Sequence, residues 1–353
     1  HRRDVSGMTS DTMTNTNSQP ASLDPLLVLT KQAMARTNDV IIERLGSDVP
    51  LIPQLAGHLV AAGGKRMRPM LCLAGALLGQ HSSGGAPGSD LPEAAHLLAA
   101  SVEFIHSATL LHDDVIDMSD KRRGRDTANA IWGNEASVLV GDFLFARAFQ
   151  LMVLTGDISV LDMLSSASAR ITEGEIKQMS LAGEPASPLE DYLDVITNKT
   201  AILFAAASES GCRVGGGTDA ECLAMHNYGL SLGRAFQICD DALDYAATSD
   251  GMGKNNGDDF RDGKITMPVI LAWGDGSAQE RAFWQRTQAE SDINEGDFEE
   301  AVAILNRHNA IERSLAAAEQ EVELALKSLS GLGDTALTSA LMSAALFSVK
   351  RSH

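Results

Sequence analysis

The chain has 353 residues, of which 44% are hydrophobic and 21% charged, and its formal net charge is −19. This composition can bury a sizeable core, so overall disorder is not expected. The acidic balance argues against nucleic acid as a partner, because nucleic-acid binding requires a basic surface.

In chain order, the sequence predicts a disordered start followed by a series of helices. Residues 1–22 are rich in Ser, Thr and Asn and should be disordered, and residues 1–7 look like a cloning remnant. Apolar residues recur at helical spacing from Asp24, and again in a long helix from about Glu93 to Asp117. Further helices are predicted at 134–155, 158–182, 189–212, 219–246, 266–273, 278–290, 297–306, 309–329 and 333–350.

Several absences define the predicted fold class. Val, Ile and Thr never gather into alternating runs, so no β-sheet is expected. No uninterrupted apolar stretch of about 18 residues marks a transmembrane helix. The four cysteines form no C-x-x-C pair and should be reduced core thiols of a cytoplasmic protein. We therefore predict one all-α domain of ten or more helices over residues 23–353.

Two of the predicted helices end in the same acidic pattern, D-D-x-x-D. The patterns lie in "LLHDDVID" (110–117) and "FQICDDALDY" (236–245). The six residues are Asp113, Asp114, Asp117, Asp240, Asp241 and Asp244. A single pattern of this kind is typically a solvated helix end. Two copies after apolar helices predict up to six carboxylates around one cavity.

Such a cavity requires cations, because packed carboxylates repel one another. Hard oxygen ligands, with no Cys or paired His nearby, favour Mg²⁺ or Mn²⁺. Mg²⁺ commonly shares its site with substrate phosphates. The pattern therefore predicts a diphosphate held through metal ions.

Basic residues cluster where an acidic protein has no other evident need for them. "GGKRMRP" (63–69) precedes an apolar helix, and glycines with cations at a helix start suit an anion. "DKRRGR" (120–125) follows the first acidic pattern, and arginine forks suit phosphate oxygens. A long Gly- and Asp-rich loop at 249–264 follows the second pattern. The basic candidates are Lys65, Arg68, His96, Arg122, Arg123, Lys199, Lys254 and Lys264. They predict two anion sites, one with metals and one without. For His96, which lies on a mostly apolar face, a core role is the alternative.

Together these motifs resemble those of the trans-isoprenyl diphosphate synthases, or polyprenyl synthetases, and most of all the bacterial octaprenyl, solanesyl and decaprenyl type. The resemblance spans about residues 25–353 and includes "ANAIWGN", "VGDFLFARAF", "GEIKQ", "NKTA" and "GKNNGDDFRDGKITMPV". Met118 departs from it, since many relatives carry an acidic residue there. The resemblance implies helices around a deep central cavity, a homodimer and a cytoplasmic enzyme that is loosely membrane-associated at most.

The resemblance also assigns roles to the candidate residues. It implies about three Mg²⁺ ions per active site once substrate is bound, with Mn²⁺ as an alternative. Asp113, Asp117 and Asp240 would be direct ligands, supported by Asp114, Asp241 and Asp244. The allylic diphosphate would contact Arg122, Lys199, Thr200, Gln237, Lys254 and Lys264. The isopentenyl diphosphate would contact Gly64, Lys65, Arg68, His96 and Arg123.

The implied reaction is a Mg²⁺-dependent condensation of an allylic diphosphate, such as farnesyl or geranylgeranyl diphosphate, with successive isopentenyl diphosphates. Ala108 and Thr109 are expected to point into the product tunnel, with Phe104 deeper as a candidate floor. The small size of Ala108 and Thr109 implies a long product of roughly C40 to C50, suited to a quinone side chain. Ordinary core packing is the alternative reading of Ala108.

Three other functions remain open from the sequence. A shorter-chain synthase would stop at about C15 to C20. A terpene cyclase would not need the second acidic pattern or a second diphosphate site. A non-catalytic synthase subunit would be expected to lose the acidic patterns, and this chain keeps both.

Overall fold

The computed structural model describes residues 20–61, 64–86, 89–122, 124–246 and 256–350. Its α-helices are α1 Asp24–Arg44, α2 Leu51–Ala61, α3 Met67–Ser82, α4 Glu93–Ile116, α5 Ala128–Trp132, α6 Asn134–Leu154, α7 Ile158–Leu181, α8 Leu189–Ile196, α9 Ile202–Val214, α10 Asp219–Leu243, α11 Asp258–Arg261, α12 Met267–Asp275, α13 Ala278–Trp284, α14 Asp297–Arg307, α15 Ala310–Leu329 and α16 Ala336–Lys350. Two π-helical turns, Thr197–Ala201 and Gln285–Ala289, continue α8 and α13. The predicted all-α class of ten or more helices is confirmed.

The expectation of no strands was wrong at one small place. β1 Lys121–Arg122 and β2 Arg125–Asp126 form a two-stranded antiparallel hairpin that pairs Lys121 with Asp126. Gly124 occupies its turn with a φ of +76°, a backbone conformation that favours glycine. Two-residue strands carry no alternation of polar and apolar residues, so periodicity could not reveal them.

Several helix boundaries also differ from the expectation. The helix predicted at 189–212 is interrupted by the π-helical turn at 197–201, and the predicted loop 249–264 contains the short helix α11. Residues 1–19, 247–255 and 351–353 lie outside the described residues. Ser22, at the end of the predicted disordered start, exchanges hydrogen bonds with Ser343 of α16. A single domain over 23–353 stays a prediction.

The long helix α4 lies at the centre of the fold and packs against α1, α3, α6 and α9. Phe104 and Leu111 on α4 are fully buried, as are Leu98 and Ala99. The second long helix, α10, packs on α9, α15 and α16. Both helices therefore hold their C-terminal ends, where the acidic patterns lie, on a rigid apolar base.

Glycines allow two helix pairs to touch backbone to backbone. A Cβ at Gly75 of α3 or Gly211 of α9 would collide with main-chain atoms of the facing helix. A Cβ at Gly174 of α7 would lie 2.7 Å from the backbone nitrogen of Lys199. These contacts fix α3 and α7 at the distances from which their polar side chains reach the sites described below.

Two helices of the described chain, α4 and α6, are long and apolar enough to cross a membrane by length and composition alone. Most of the apolar segment of α4 is buried inside the protein, as expected for a core helix, whereas α6 leaves most of its segment uncovered. Such a pair is weak evidence for a membrane span, and α4 is explained by its core position.

Candidate active site

A cavity of about 1200 Å³ opens where the C-terminal ends of α4 and α10 meet. Of the described residues, nine aspartates line it: Asp114, Asp117, Asp120, Asp240, Asp241, Asp244, Asp258, Asp259 and Asp262. Asp113 of the first acidic pattern is not among them. Four of the described basic residues share the lining: Lys121, Arg122, Lys199 and Lys264. The structure thus brings the two acidic helix ends to one cavity, and the excess of carboxylates makes that cavity strongly negative.

The acidic end of α4 is paired with cations of the same chain. Asp114, which is only 2% exposed, accepts hydrogen bonds from Nε and Nη2 of Arg122 at 3.0 and 2.7 Å. Asp117 lies 3.4 Å from Nζ of Lys264. The hairpin β1–β2 therefore directs Arg122 back onto the end of α4, the helix that precedes it.

The acidic end of α10 is held instead by neutral donors. Asp241 accepts hydrogen bonds from the hydroxyl of Tyr192 at 2.6 Å and from Nε2 of Gln237 at 2.8 Å. Asp244 accepts one from the backbone N–H of Asp259 at 3.0 Å. Each bond fixes a carboxylate without cancelling its charge.

Burial and crowding shift the acidity of these groups. Burial raises the pKa of Asp113 to about 7, with Glu175 and Asp117 adding to the effect against Lys199 and Arg122. Burial likewise raises the pKa of Asp241 to about 7, and the negative charge of Asp240 adds to it. Asp241 in the cavity lining, and Asp113 next to Asp114 in the sequence, are therefore costly to ionise until positive charge arrives.

Asp259, which the sequence analysis did not single out, belongs to this group. Burial and the charges of Asp241 and Asp244 raise its pKa well above the usual range. The pKa of Lys264 is also raised: burial lowers it, but the negative charges of Asp117 and Asp259 more than offset that effect. The Asp-rich composition of the loop 249–264 was the signal that could have identified Asp259.

The π-helical turn at 197–201 brings Lys199 and Thr200 to the cavity wall. Nζ of Lys199 lies 2.7 Å from Glu175 and 2.8 Å from Oε1 of Gln178, both on α7. Such turns add one residue to a helix and are frequent at functional sites. The motif "GEIKQ", part of the family resemblance, contains both of these unpredicted partners.

A second basic group lies at the start of α3, outside the lining of the acidic cavity. Nη1 of Arg68 lies 3.1 Å from Nε2 of His106 on α4, and its guanidinium stacks 4.6 Å from the ring of Phe204. Lys65 is exposed, with Nζ 4.6 Å from the ring centroid of Phe347. Gly64 precedes it and is also exposed.

The histidine of this group is not the one singled out from the sequence. His96 is buried between α1 and α4, where Nδ1 lies 3.2 Å from the hydroxyl of Thr37. Burial lowers its pKa, so it is a neutral core residue in this setting. His106 precedes Asp113 by seven residues, which is two helical turns, and this spacing could have identified it.

The remaining candidates are distributed as follows. Thr200 donates a hydrogen bond to Oε1 of Gln237 at 3.0 Å. Arg123 and Lys254 lie outside the described residues. Ala108 and Phe104 are fully buried in the core around α4, and Thr109 is half-buried. None of these three lines the described cavity, and their role in setting product length stays a prediction.

The donor set fits a hard divalent cation. Across the described ranges no three carboxylate, imidazole or thiol groups form a ready-made ion site. Among the described residues the cavity nevertheless presents nine carboxylates, the oxygen donors that Mg²⁺ prefers, and no His or Cys. Its buried carboxyl groups gain most from added positive charge, which a Mg²⁺ ion held by these aspartates would supply.

Comparison with known proteins identifies the family. A sequence model described as "Polyprenyl synthetase" matches residues 49–305. The chain is 42% identical to an octaprenyl diphosphate synthase from Escherichia coli over 94% of this chain and 99% of that protein. It is 46% identical to a decaprenyl diphosphate synthase from Rhodobacter capsulatus, whose crystal structure superposes with a TM-score of 0.88 over 94% of this chain and 100% of that one.

A third relative was crystallised with ligands. The polyprenyl synthase from Caulobacter crescentus, complexed with calcium and isoprenyl diphosphate, is 43% identical and superposes with a TM-score of 0.88 over 95% of this chain and all of that one. The predicted family is therefore confirmed by sequence and by fold. With two acidic helix ends on one cavity and relatives of this similarity over nearly its whole length, the chain belongs to the polyprenyl synthetase family of prenyltransferases.

Proposed function

We propose that this prenyltransferase condenses an allylic diphosphate with successive isopentenyl diphosphates into a long-chain all-trans polyprenyl diphosphate, roughly C40 to C50. The observation that carries the proposal is the meeting of two D-D-x-x-D helix ends at one cavity that also presents Arg122, Lys199 and Lys264. The octaprenyl and decaprenyl relatives support the length range.

The aspartates of the two helix ends would hold the metal. Members of this family generally depend on divalent metals, and we assign Asp113, Asp117 and Asp240 as direct ligands of about three Mg²⁺ ions. Asp114, Asp241 and Asp244 support them directly or through water. When bound, Mg²⁺ supplies Lewis-acid charge at the leaving diphosphate.

The basic residues of the cavity complete the allylic site. Arg122 is oriented by Asp114, Lys199 by Glu175 and Lys264 by Asp117. These fixed cations attract the diphosphate and stabilise the charge that develops as its C–O bond ionises. We include Lys254 in this set from the resemblance, and place Thr200 and Gln237 at its edge.

Isopentenyl diphosphate would bind at the second basic group, through Lys65, Arg68 and His106. His106 replaces His96 in this assignment because it contacts Arg68. Seven residues separate His106 from Asp113, so the two share a face of α4 about 10 Å apart along its axis. That spacing suits two diphosphates whose hydrocarbon ends meet between them. Gly64 and Arg123 complete the predicted set.

No side-chain nucleophile is required by this chemistry. The double bond of isopentenyl diphosphate attacks the allylic cation, and we assign the released diphosphate as the base that removes the proton. The apolar helices α4 and α9, which pack against each other, would keep water from the cation. The chain's residues therefore bind, orient and shield the reactants rather than bond to them.

Product length should depend on the residues that precede Asp113 on α4. Thr109 lies one turn before Asp113 on the same helix face, whereas Ala108 lies about 140° from that face. A Thr109→Phe variant should therefore shorten the product more than Ala108→Phe does. If both variants made products of unchanged length, α4 would not determine product length.

We also infer a homodimer in the cytoplasm. The outer faces of α6 and α7 carry five largely exposed apolar side chains: Leu139, Val153, Ile158, Ile176 and Met179. An uncovered apolar surface of this kind suits association with a second copy. Sedimentation of the purified chain at several concentrations tests this, and a monomer throughout would refute it. Loose membrane association at product release remains part of the same proposal.

The function is tested by a product-length assay on the pure chain. Mg²⁺, farnesyl diphosphate and labelled isopentenyl diphosphate are incubated with it, and the dephosphorylated products are separated. A ladder ending in one long product supports the proposal. Products that stop at about C15 to C20 would support the shorter-chain alternative. Absence of incorporation would favour a cyclase or a subunit that needs a partner.

A further inference from the structure

We propose that Tyr192, together with Gln237 and Thr200, positions the Asp241 carboxylate for divalent-metal binding. Tyr192 lies on α8 and is 4% exposed. Its hydroxyl is one of only two side-chain donors that reach Asp241 in the described chain. The inference extends the proposed function by adding a residue that neither acidic motif contains.

Two of the three side chains donate directly to Asp241, and the third, Thr200, orients one of those donors. The hydroxyl of Thr200 donates to Oε1 of Gln237 at 3.0 Å, so the amide of Gln237 must turn its Nε2 toward Asp241. Nε2 then donates to Oδ1 at 2.8 Å, while Tyr192 donates to Oδ2 at 2.6 Å. Each of the two carboxylate oxygens therefore has its own donor.

The arrangement fixes the orientation of the carboxylate without neutralising it. Asp241 is only 6% exposed, and no Lys or Arg of the described residues is in hydrogen-bond contact with it. Neutral donors leave its negative charge and its second lone pairs for a cation in the cavity that it lines. Outer donors that hold metal-binding side chains typically change metal affinity by about 10- to 100-fold when removed.

The hydrogen bonds of Thr200 and Gln237 change the role expected for these two residues. Both were assigned to the allylic diphosphate from the resemblance. In the structure their polar atoms are engaged with each other and with Asp241. Their removal should therefore weaken divalent-metal binding first, and affect the allylic substrate only through the metal.

Tyr192→Phe removes the hydroxyl and keeps the buried ring. The chain offers a matched control, because Tyr228 is also fully buried and donates to the carbonyl of Leu341 at 2.7 Å, away from the cavity. Tyr228→Phe removes a hydroxyl with the same burial and a similar bond. Any effect of lost packing or lost hydrogen bonding alone should appear in both variants.

The measurement is calorimetric titration of Mn²⁺ into the full-length chain with inorganic diphosphate present. Tyr192→Phe should raise the dissociation constant about 10-fold, and Tyr228→Phe should leave it unchanged. In the prenyl-transfer assay, the Mg²⁺ concentration for half-maximal rate should rise similarly. The rate at saturating Mg²⁺ and the KM for isopentenyl diphosphate should not change.

Equal metal affinity in Tyr192→Phe and Tyr228→Phe would overturn the inference. So would a raised KM for the allylic substrate at saturating Mg²⁺ with unchanged Mn²⁺ binding. If Tyr192→Phe does not melt cooperatively, Thr200→Val replaces it, with a smaller loss of Mn²⁺ affinity expected and an unchanged affinity contradicting the proposal. Because Mn²⁺ binding is measured without prenyl transfer, a wild-type chain that makes no product would refute the proposed function and not this role.

Discussion

The two acidic helix ends share one sequence pattern and differ in what surrounds them. At the end of α4, Asp114 and Asp117 are paired with Arg122 and Lys264. At the end of α10, Asp241 and Asp244 are held by a hydroxyl, an amide and a backbone N–H. Two aspartates of the first end are thus paired with cations of the chain itself, while those of the second have no Lys or Arg in hydrogen-bond contact among the described residues. The same D-D-x-x-D can therefore serve two electrostatic purposes.

The largest expected effect is the loss of kcat when a metal-binding aspartate is replaced, which distinguishes the metal ligands from other carboxylates. Asp240→Asn and Asp113→Asn should each lower kcat by at least about 100-fold, because each removes a carboxylate that would hold the metal ion whose positive charge stabilises the departing diphosphate. Steady-state assays at saturating Mg²⁺ measure this, with Asp39→Asn on the exposed face of α1 as control. Near-normal turnover in either variant would show that this helix end does not bind the metal.

Stability should respond in opposite directions at the two ends. Asp114→Asn leaves Arg122 without its charged partner and should lower the free energy of unfolding by about 2 kcal/mol. Asp241→Asn removes a buried, repelled carboxylate and should raise it by a value on the order of 2 kcal/mol at about pH 8 without metal. Urea unfolding of the metal-free variants tests the contrast. Changes of the same sign in both would mean that the cations of the cavity serve both ends equally.

Substitutions at the two anion sites should raise the KM of different substrates. Lys264→Met removes a cation of the acidic cavity and should raise the KM for the allylic diphosphate about 10-fold while leaving that for isopentenyl diphosphate unchanged. Arg68→Met should do the reverse, because Arg68 lies beside His106 and away from the cavity. If both substitutions raise both KM values alike, the two substrates do not bind at separate basic groups.

A pH dependence of stability is expected from the two carboxyl groups with raised pKa values. Burial raises the pKa of Asp113 and of Asp241 to about 7, whereas an unfolded aspartate titrates near pH ~4. Between these values the folded chain binds more protons than the unfolded chain, so the free energy of unfolding falls as pH rises through this window. Above about pH 7 the full penalty is present.

Divalent metal should offset that penalty. Mg²⁺ with inorganic diphosphate should raise the Tm about 2–4 °C more at pH 8 than at pH 5.5, because only ionised carboxylates bind the ion. Scanning calorimetry measures the difference, and Asp241→Asn should reduce it. A larger shift at the lower pH would contradict the assignment of these groups as metal-linked carboxyls.

Much of the architecture was accessible from the sequence because it rests on local periodicity. The apolar spacing of the long helices α4, α6, α7 and α10 predicted their existence and, within a few residues, their ends. The hairpin β1–β2 and the π-helical turn at 197–201 were not predicted. Each is too short to show a hydrophobic periodicity. The hairpin brings Arg122, and the π-helical turn brings Lys199, to a cavity formed by helices that are distant in the sequence.

The choice between His96 and His106 illustrates the limit of sequence reasoning at the site. Both lie on α4, and their sequence surroundings are similarly apolar. The packing of α1 buries His96 against Thr37, whereas the close approach of α3 brings Arg68 to His106. A helix pattern describes the faces of one helix, but which neighbour covers each face depends on the whole fold.

The sequence by itself determined the helical class, the two acidic helix ends, the basic segments and the family to which they belong. These follow from residue type and spacing, which act over one or two turns. Only the tertiary structure decided the partners of each carboxylate: Arg122 for Asp114, and Tyr192 with Gln237 for Asp241. Burial and charge at a site depend on elements that are far apart in the chain, and no local spacing encodes them.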